Sequence, residues 1–191
     1  MLTAIAGSDP LDAVTAEADA RKVDYRAALD AGSLSGARIG VMRFLVGSFS
    51  AETQAVFEAS LQAMRDAGAE LVEITDGPDM RAVGAAQLTV LLTELKVGLN
   101  AYLASTDPEQ VPTRTLAEII AFNAAEPRET VLFGQELFLQ AEATGGLDDA
   151  AYVAARQSSL RMSGVEGIDR MIADHRLVAL VAPTTSRARA G

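Results

Sequence analysis

A chain of 191 residues with 26 acidic and 16 basic side chains has a formal net charge of -10, which argues against nucleic acid or an anionic membrane surface as a partner. With no cysteine and one histidine, His175, it excludes disulfides, thiolate nucleophiles, cysteine-ligated metals and zinc sites built on several histidines. Hydrophobic residues reach 49%, enough for a sizeable core, but aromatics supply only 5%, so Ala, Leu, Val and Ile must do most of the packing.

The opening Met1 to Gly7 is apolar but short. No Lys or Arg precedes it and Asp9 follows closely, unlike a secretory signal. No uninterrupted apolar run reaches the length of a membrane span, so a cytoplasmic location is expected. Lys22 and Lys96 are the only lysines among the 16 basic residues, an arginine bias that fits a GC-rich bacterial genome.

Leu2 and Ile5, with Gly7 behind them, read as the last turn of a helix. Residues 8–36 are polar and turn-rich, a surface connection with a helical turn or two around Tyr25 and Leu29. Arg38 to Arg43 is a strand candidate. A helix follows from about Ala51 to Ala67, capped by Ser50, with Phe57, Leu61 and Met64 on one face and Gly68 at its end. Glu70 to Ile74 is a second strand. Strand, helix and strand at this spacing predict a parallel pair.

The segment 80–104 is a helix by its period, with Leu88, Leu91, Leu92, Leu95, Leu99, Tyr102 and Leu103 in step. Thr115 and Glu118 form a capping box ahead of Ile119, Ile120 and Phe122. A further helix is expected over about 129–143, carrying Leu132, Phe133, Leu137 and Phe138 and stopped by Gly145 and Gly146. Asp148 or Asp149 opens a longer helical stretch to about Arg176, broken or closely packed at Gly164 and Gly167. Leu177 to Ala182 is an apolar run without alternation, which predicts a strand buried on both faces of a parallel sheet.

Chemistry is sparse. His175 sits at a helix end, where a histidine serves the helix dipole, and no Gly-x-Ser-x-Gly turn supplies it a nucleophile. Lys22 lies in a charged stretch and Lys96 directly after Glu94 and Leu95, so both read as solvated or salt-bridged rather than as bases beside a serine. Ser158 and Ser159 lie inside a helix. Asp148 with Asp149, and Asp9 with Asp12, fit caps and Asx turns. Gly164-Val165-Glu166-Gly167 does not follow a strand and is not a phosphate loop.

Several segments nevertheless resemble one family in order along the chain. They are Leu2 to Asp12 with Thr15, Leu34 to Val41, Glu94 to Leu103, Arg114 to Asn123, Leu132 to Glu136, Gly167 to Asp169, and Asp174 to Thr184. The family is that of the amidase-signature enzymes, in particular their peptide-amidase-like branch. The resemblance implies an α/β fold: a few mostly parallel strands, at about 38–43, 70–74 and 177–182, covered by several α-helices. It implies one partial domain over 1–191, with 1–36 connecting, 37–185 forming the α/β portion and 186–191 an irregular tail.

The resemblance also implies cleavage of amide C–N bonds by a Ser–cis-Ser–Lys triad with an oxyanion hole. In the family those elements precede the stretch matched by Leu2, so no catalytic residue carries over to this chain, and neither a metal nor a cofactor is implied. The expected function is therefore that of an amidase fragment, lacking the catalytic N-terminal part and the C-terminal end and inactive alone. One chain of a split amidase and a non-catalytic, self-associating module are the alternatives. Small amides or peptide amides are the full-length family's substrates, and a homo-oligomer or a complementing chain is the expected protein partner. The family's helices wall a substrate funnel. Asn123 and Gln135, polar in otherwise apolar helices, are candidates to face it, with packing or capping as the competing role.

Overall fold

The computed structural model describes residues 1–27, 29, 32–47 and 49–184. Two compact units emerge, Met1–Thr75 together with His175–Gly191, and Asp76–Asp174.

The first unit opens with two single-turn helices, α1 (Leu2–Ile5) and α2 (Ala18–Arg21), separated by a 3-10 turn at Ala13–Thr15. Asp9 and Asp12 build the polar turns between them, accepting from the N–H groups of Leu11 and Val14. Of the helical turn expected around Tyr25 and Leu29, a turn at 25–27 is present; residues 28, 30 and 31 lie outside the described residues.

The sheet follows. β1 (Arg38–Met42) runs through a short α3 (Arg43–Val46) into α4 (Ala51–Asp66), and β2 (Glu70–Ile74) comes next. Ser50 caps α4 through the N–H of Thr53, and Gly68, at φ +90, makes the left-handed turn out of it. β3 (Ala179–Val181) joins from the far end of the chain, giving the order β2-β1-β3 with both pairs parallel.

β1 is central, and the packing explains why it carries a glycine. A Cβ on Gly40 would lie 2.5 Å from Leu177, 2.7 Å from Leu180 and 2.8 Å from Ile74, so the apolar side chains of the chain's last strand region close directly over the backbone. Val41, Val46, Phe57 and Leu61 form the buried cluster on which Met64, Leu71 and Val181 pack, so the predicted face of α4 does cover the sheet. Arg38 bonds Glu70 and the carbonyl of His175, while Arg43 holds Glu58 of α4 and Glu73 of β2 together.

Two strand expectations shift. β1 ends one residue early because Arg43 begins α3. The run 177–182 forms only a three-residue strand, and it lies at the sheet edge rather than being buried on both faces. Arg176, at φ +52, turns the chain sharply; Leu177 is buried against Gly40, yet Val178 is 72% exposed. Residues 186–191, expected as a tail, lie outside the described residues.

The second unit is helical: α5 (Met80–Ser105), α6 (Leu116–Ala125), α7 (Glu136–Glu142), α8 (Ala150–Ser163) and α9 (Asp169–His175). Asp79, Thr115 and Asp149 cap α5, α6 and α8 with their side chains. The capping box at Thr115 closes with an offset, Glu118 accepting from the N–H of Arg114 rather than from that of Thr115.

α5 packs on α7 and α8. Its 26 residues, with a mean hydropathy of 1.3 over their most apolar stretch, are long and apolar enough to cross a membrane by length and composition, although no uninterrupted apolar run is. The helix expected over 129–143 is broken. A 3-10 helix at Pro127–Thr130 is followed by an open stretch through Gly134, and α7 starts only at Glu136. The break predicted after α8 is a π-helical turn at Gly164–Ile168, where a Cβ on Gly167 would sit 2.5 Å from the carbonyl oxygen of Met162.

Gly40→Ala tests the close approach over β1. Three side chains must move to admit one methyl, so the substitution is expected to destabilise the first unit by about 1–3 kcal/mol, read as a lower urea midpoint. An unchanged midpoint would show that the sheet relaxes around the methyl.

Candidate functional site

The two candidate residues meet in the second unit. α6 starts with Leu116 buried and its N–H donated to the Asn100 side chain at 2.8 Å, which fixes the helix against α5. The chain leaves α6 through an extended Glu126, whose carboxylate accepts from the backbone and guanidinium of Arg128. Those bonds hold the Glu126 carboxyl below its ordinary pKa of 4.5. The 3-10 turn then reverses direction and sets Gln135, at the start of α7, opposite Asn123 of α6. Asn123 Nδ2 donates to Gln135 Oε1 at 3.4 Å, and Gln135 Nε2 donates to the Ile120 carbonyl at 3.4 Å. The Gln135 side chain makes no capping bond to α7.

This pair lines a pocket of about 430 Å³ together with Thr130, Phe133, Leu137 and Phe138. Phe133 is 80% exposed and Leu137 57%, so the apolar wall is open to solvent. Two carboxamides over an apolar wall offer donors and acceptors that match another amide. The carboxamides themselves carry no titrating proton and no nucleophile; the carboxylates of Glu129 and Glu136 and the hydroxyl of Thr130 also line the pocket.

The lysines are occupied elsewhere. Lys96 Nζ donates to the carbonyls of Glu142 (2.6 Å) and Thr144 (3.2 Å) and lies 3.3 Å from the Glu142 carboxylate. It places a cation on the negative end of α7 and pins that helix to α5. Nearby, buried Tyr152 donates to Glu94 at 2.8 Å, tying α8 to α5; the bond to a carboxylate pushes the phenol above its ordinary value of 10.0.

Lys22 donates to Asp19 at 2.8 Å, and Ser8 donates to the same carboxylate. Sequence reasoning missed this Ser8–Asp19–Lys22 group, because the serine lies eleven residues from its acceptor in a turn-rich segment. It has the residue types of a catalytic cluster and the wrong electrostatics. Lys22 and Ser8 pull the Asp19 carboxyl down to about 2, so it cannot take the serine proton near neutrality. His175 ends α9, as expected, and its carbonyl is held by Arg38. Ser158 and Ser159 lie within α8, and Asp149 caps it.

No protein-family model matches the chain. Among curated proteins it is 29% identical to a probable amidase of Arabidopsis thaliana over 95% of this chain and 35% of that one. It is 28% identical to a glutamyl-tRNA(Gln) amidotransferase subunit from Rhodospirillum rubrum over 100% of this chain and 37% of that one. Among solved structures it superposes on native peptide amidase from Stenotrophomonas maltophilia with a TM-score of 0.83 and 43% identity, over 96% of this chain and 37% of the enzyme. A peptide amidase in complex with the competitive inhibitor chymostatin gives a TM-score of 0.83 at 42% identity, over 97% of this chain and 37% of the enzyme. A three-stranded parallel sheet flanked by helices in this order is therefore an α/β amidase scaffold. The chain belongs to the amidase-signature family and spans a little over a third of the length of these relatives.

Lys96→Met tests the structural role of the second lysine. It keeps the aliphatic stem but leaves two carbonyls and the Glu142 carboxylate without their donor, and is expected to destabilise the second unit by about 1–3 kcal/mol. Protection of the α7 amides against hydrogen exchange should fall with it; unaltered protection would contradict the role.

Proposed function

We propose that this chain is a single partial domain of a bacterial, cytoplasmic amide C–N hydrolase, that it contributes scaffold and substrate wall, and that it is inactive alone. The observation that carries the reading is the state of its two lysines. Lys96 caps a helix and Lys22 pairs with Asp19, so among the described residues neither is hydrogen-bonded to a serine it could activate. A Ser–cis-Ser–Lys mechanism then has to draw its reacting groups from the part of the family's sequence that lies outside the shared span.

The substrate class follows from the pocket at α6 and α7. Asn123 and Gln135 present amide-matching groups beside the exposed Phe133, an arrangement suited to a peptide amide with an apolar side chain. The similarity to a peptide amidase that binds chymostatin supports the same class.

Purified chain incubated with acetamide-type amides and short C-terminal peptide amides is expected to release no ammonia above the buffer rate. Turnover that a single Ser→Ala change abolishes would contradict the proposal.

A further inference from the structure

The carboxamide pocket also carries charge, which amide recognition alone leaves unused. Glu129, in the 3-10 turn, and Glu136, at the start of α7, both line it. Among the described residues neither carboxylate takes part in an ion pair or a hydrogen bond. The nearest cation in sequence, Arg128, is held by Glu126 through Nε at 2.8 Å and Nη2 at 2.9 Å. The placing of Glu136 is specific. A Cβ on Gly134 would overlap its carboxylate, so that group lies back over the bare glycine, which is itself part of the pocket lining.

Two uncompensated carboxylates therefore stand beside the rings of Phe133 and Phe138. Carboxylates accept hydrogen bonds and donate none. An alkylammonium answers the whole surface: it brings three N–H donors and a positive charge, and it is attracted to aromatic faces. A divalent metal fits less well, because it takes about six or more oxygen ligands. Among the described residues no group of three or more His, Asp or Glu side chains could hold one. The net charge of -10 favours the approach of a cation over that of an anion. The cavity of about 430 Å³ falls within the range of small-ligand sites, roughly 300–1,000 Å³.

We propose that this pocket takes a peptide amide carrying an alkylammonium group, with the ammonium at Glu129 and Glu136 and an amide at Asn123 and Gln135. This rests on the reading of the pocket as an amide site, and it adds a cation to the ligand. A free N-terminus and a lysine side chain present the same chemistry, and the ligands of the test separate them.

The full chain is titrated with glycyl-leucinamide, with its N-acetylated form and with N-acetyllysyl-leucinamide, and binding is followed by the amide chemical shifts of Gly134 and Gln135. At low salt a cationic peptide is expected to bind at least about fivefold more tightly than the neutral one. Whichever cationic peptide holds the advantage identifies the source of the ammonium. Glu129→Gln with Glu136→Gln keeps the shape of the pocket and removes its charge. The advantage is expected to vanish in that variant, with the neutral peptide's affinity and the far-UV CD spectrum unchanged. Gly134→Ala, which pushes the Glu136 carboxylate aside, is expected to reduce the advantage by about twofold or more. A neutral peptide that binds as tightly as both cationic ones would overturn the proposal and leave the amide site standing. An advantage that survives the double Gln variant would overturn it as well. Absence of binding by all three peptides would overturn the amide reading together with this inference.

Discussion

The first unit depends on one close approach. Gly40 has no side chain, and into the space a Cβ would occupy come Leu177, Leu180 and Ile74. Two of these come from the opposite end of the chain, so the sheet is completed by a contact between parts far apart in sequence. Loop-closure entropy opposes such a contact, and burial of Val41, Phe57 and Leu61 on the α4 side offsets it. The Arg38 guanidinium adds a polar tie across the same seam, holding the carbonyl of His175 while pairing with Glu70 of β2. With β1 buried by this arrangement, β2 and β3 become the two edges.

The second unit is organised around α5 in a different way. Its polar residues, Glu94 and Lys96, are engaged by Tyr152 of α8 and by the C-terminal carbonyls of α7. An apolar helix of this length gains specificity from such pairs, since Leu side chains alone do not fix register. In the same pairs the Lys96 ammonium is engaged by two carbonyls and a carboxylate. The carboxamide pocket sits at the opposite end of α7 from Lys96, so one short helix links a structural anchor to the candidate site.

Much of the architecture was legible in the sequence, and the reasons are local. Ser50, Thr115 and Asp149 announce helix starts because capping needs only a few residues. The leucine period from Leu88 to Leu103 sets α5 at almost its observed length. What was not legible depends on partners distant in sequence. The apolar run at 177–182 looks like a buried strand, and only the pairing shows it to be an edge. Leu132 and Phe133 fit a helical period, yet the chain is open there and Phe133 is 80% exposed. Asn123 and Gln135 could be singled out as polar residues among apolar ones, but their hydrogen bond to each other depends on the reversal at Pro127–Thr130. The Ser8–Asp19–Lys22 group shows the converse: residue types that suggest catalysis, in a setting that holds the carboxylate ionised.

The central claim is the proposal that this amidase-signature chain is inactive alone, which rests on neither lysine being hydrogen-bonded to a serine among the described residues. Intact-mass measurement after treatment with phenylmethylsulfonyl fluoride tests it most directly, because sulfonylation reports an activated hydroxyl without requiring turnover or a known substrate. Unmodified chain is the expected result at neutral pH. A single stoichiometric adduct, mapped to one serine and lost on its replacement by alanine, would contradict it.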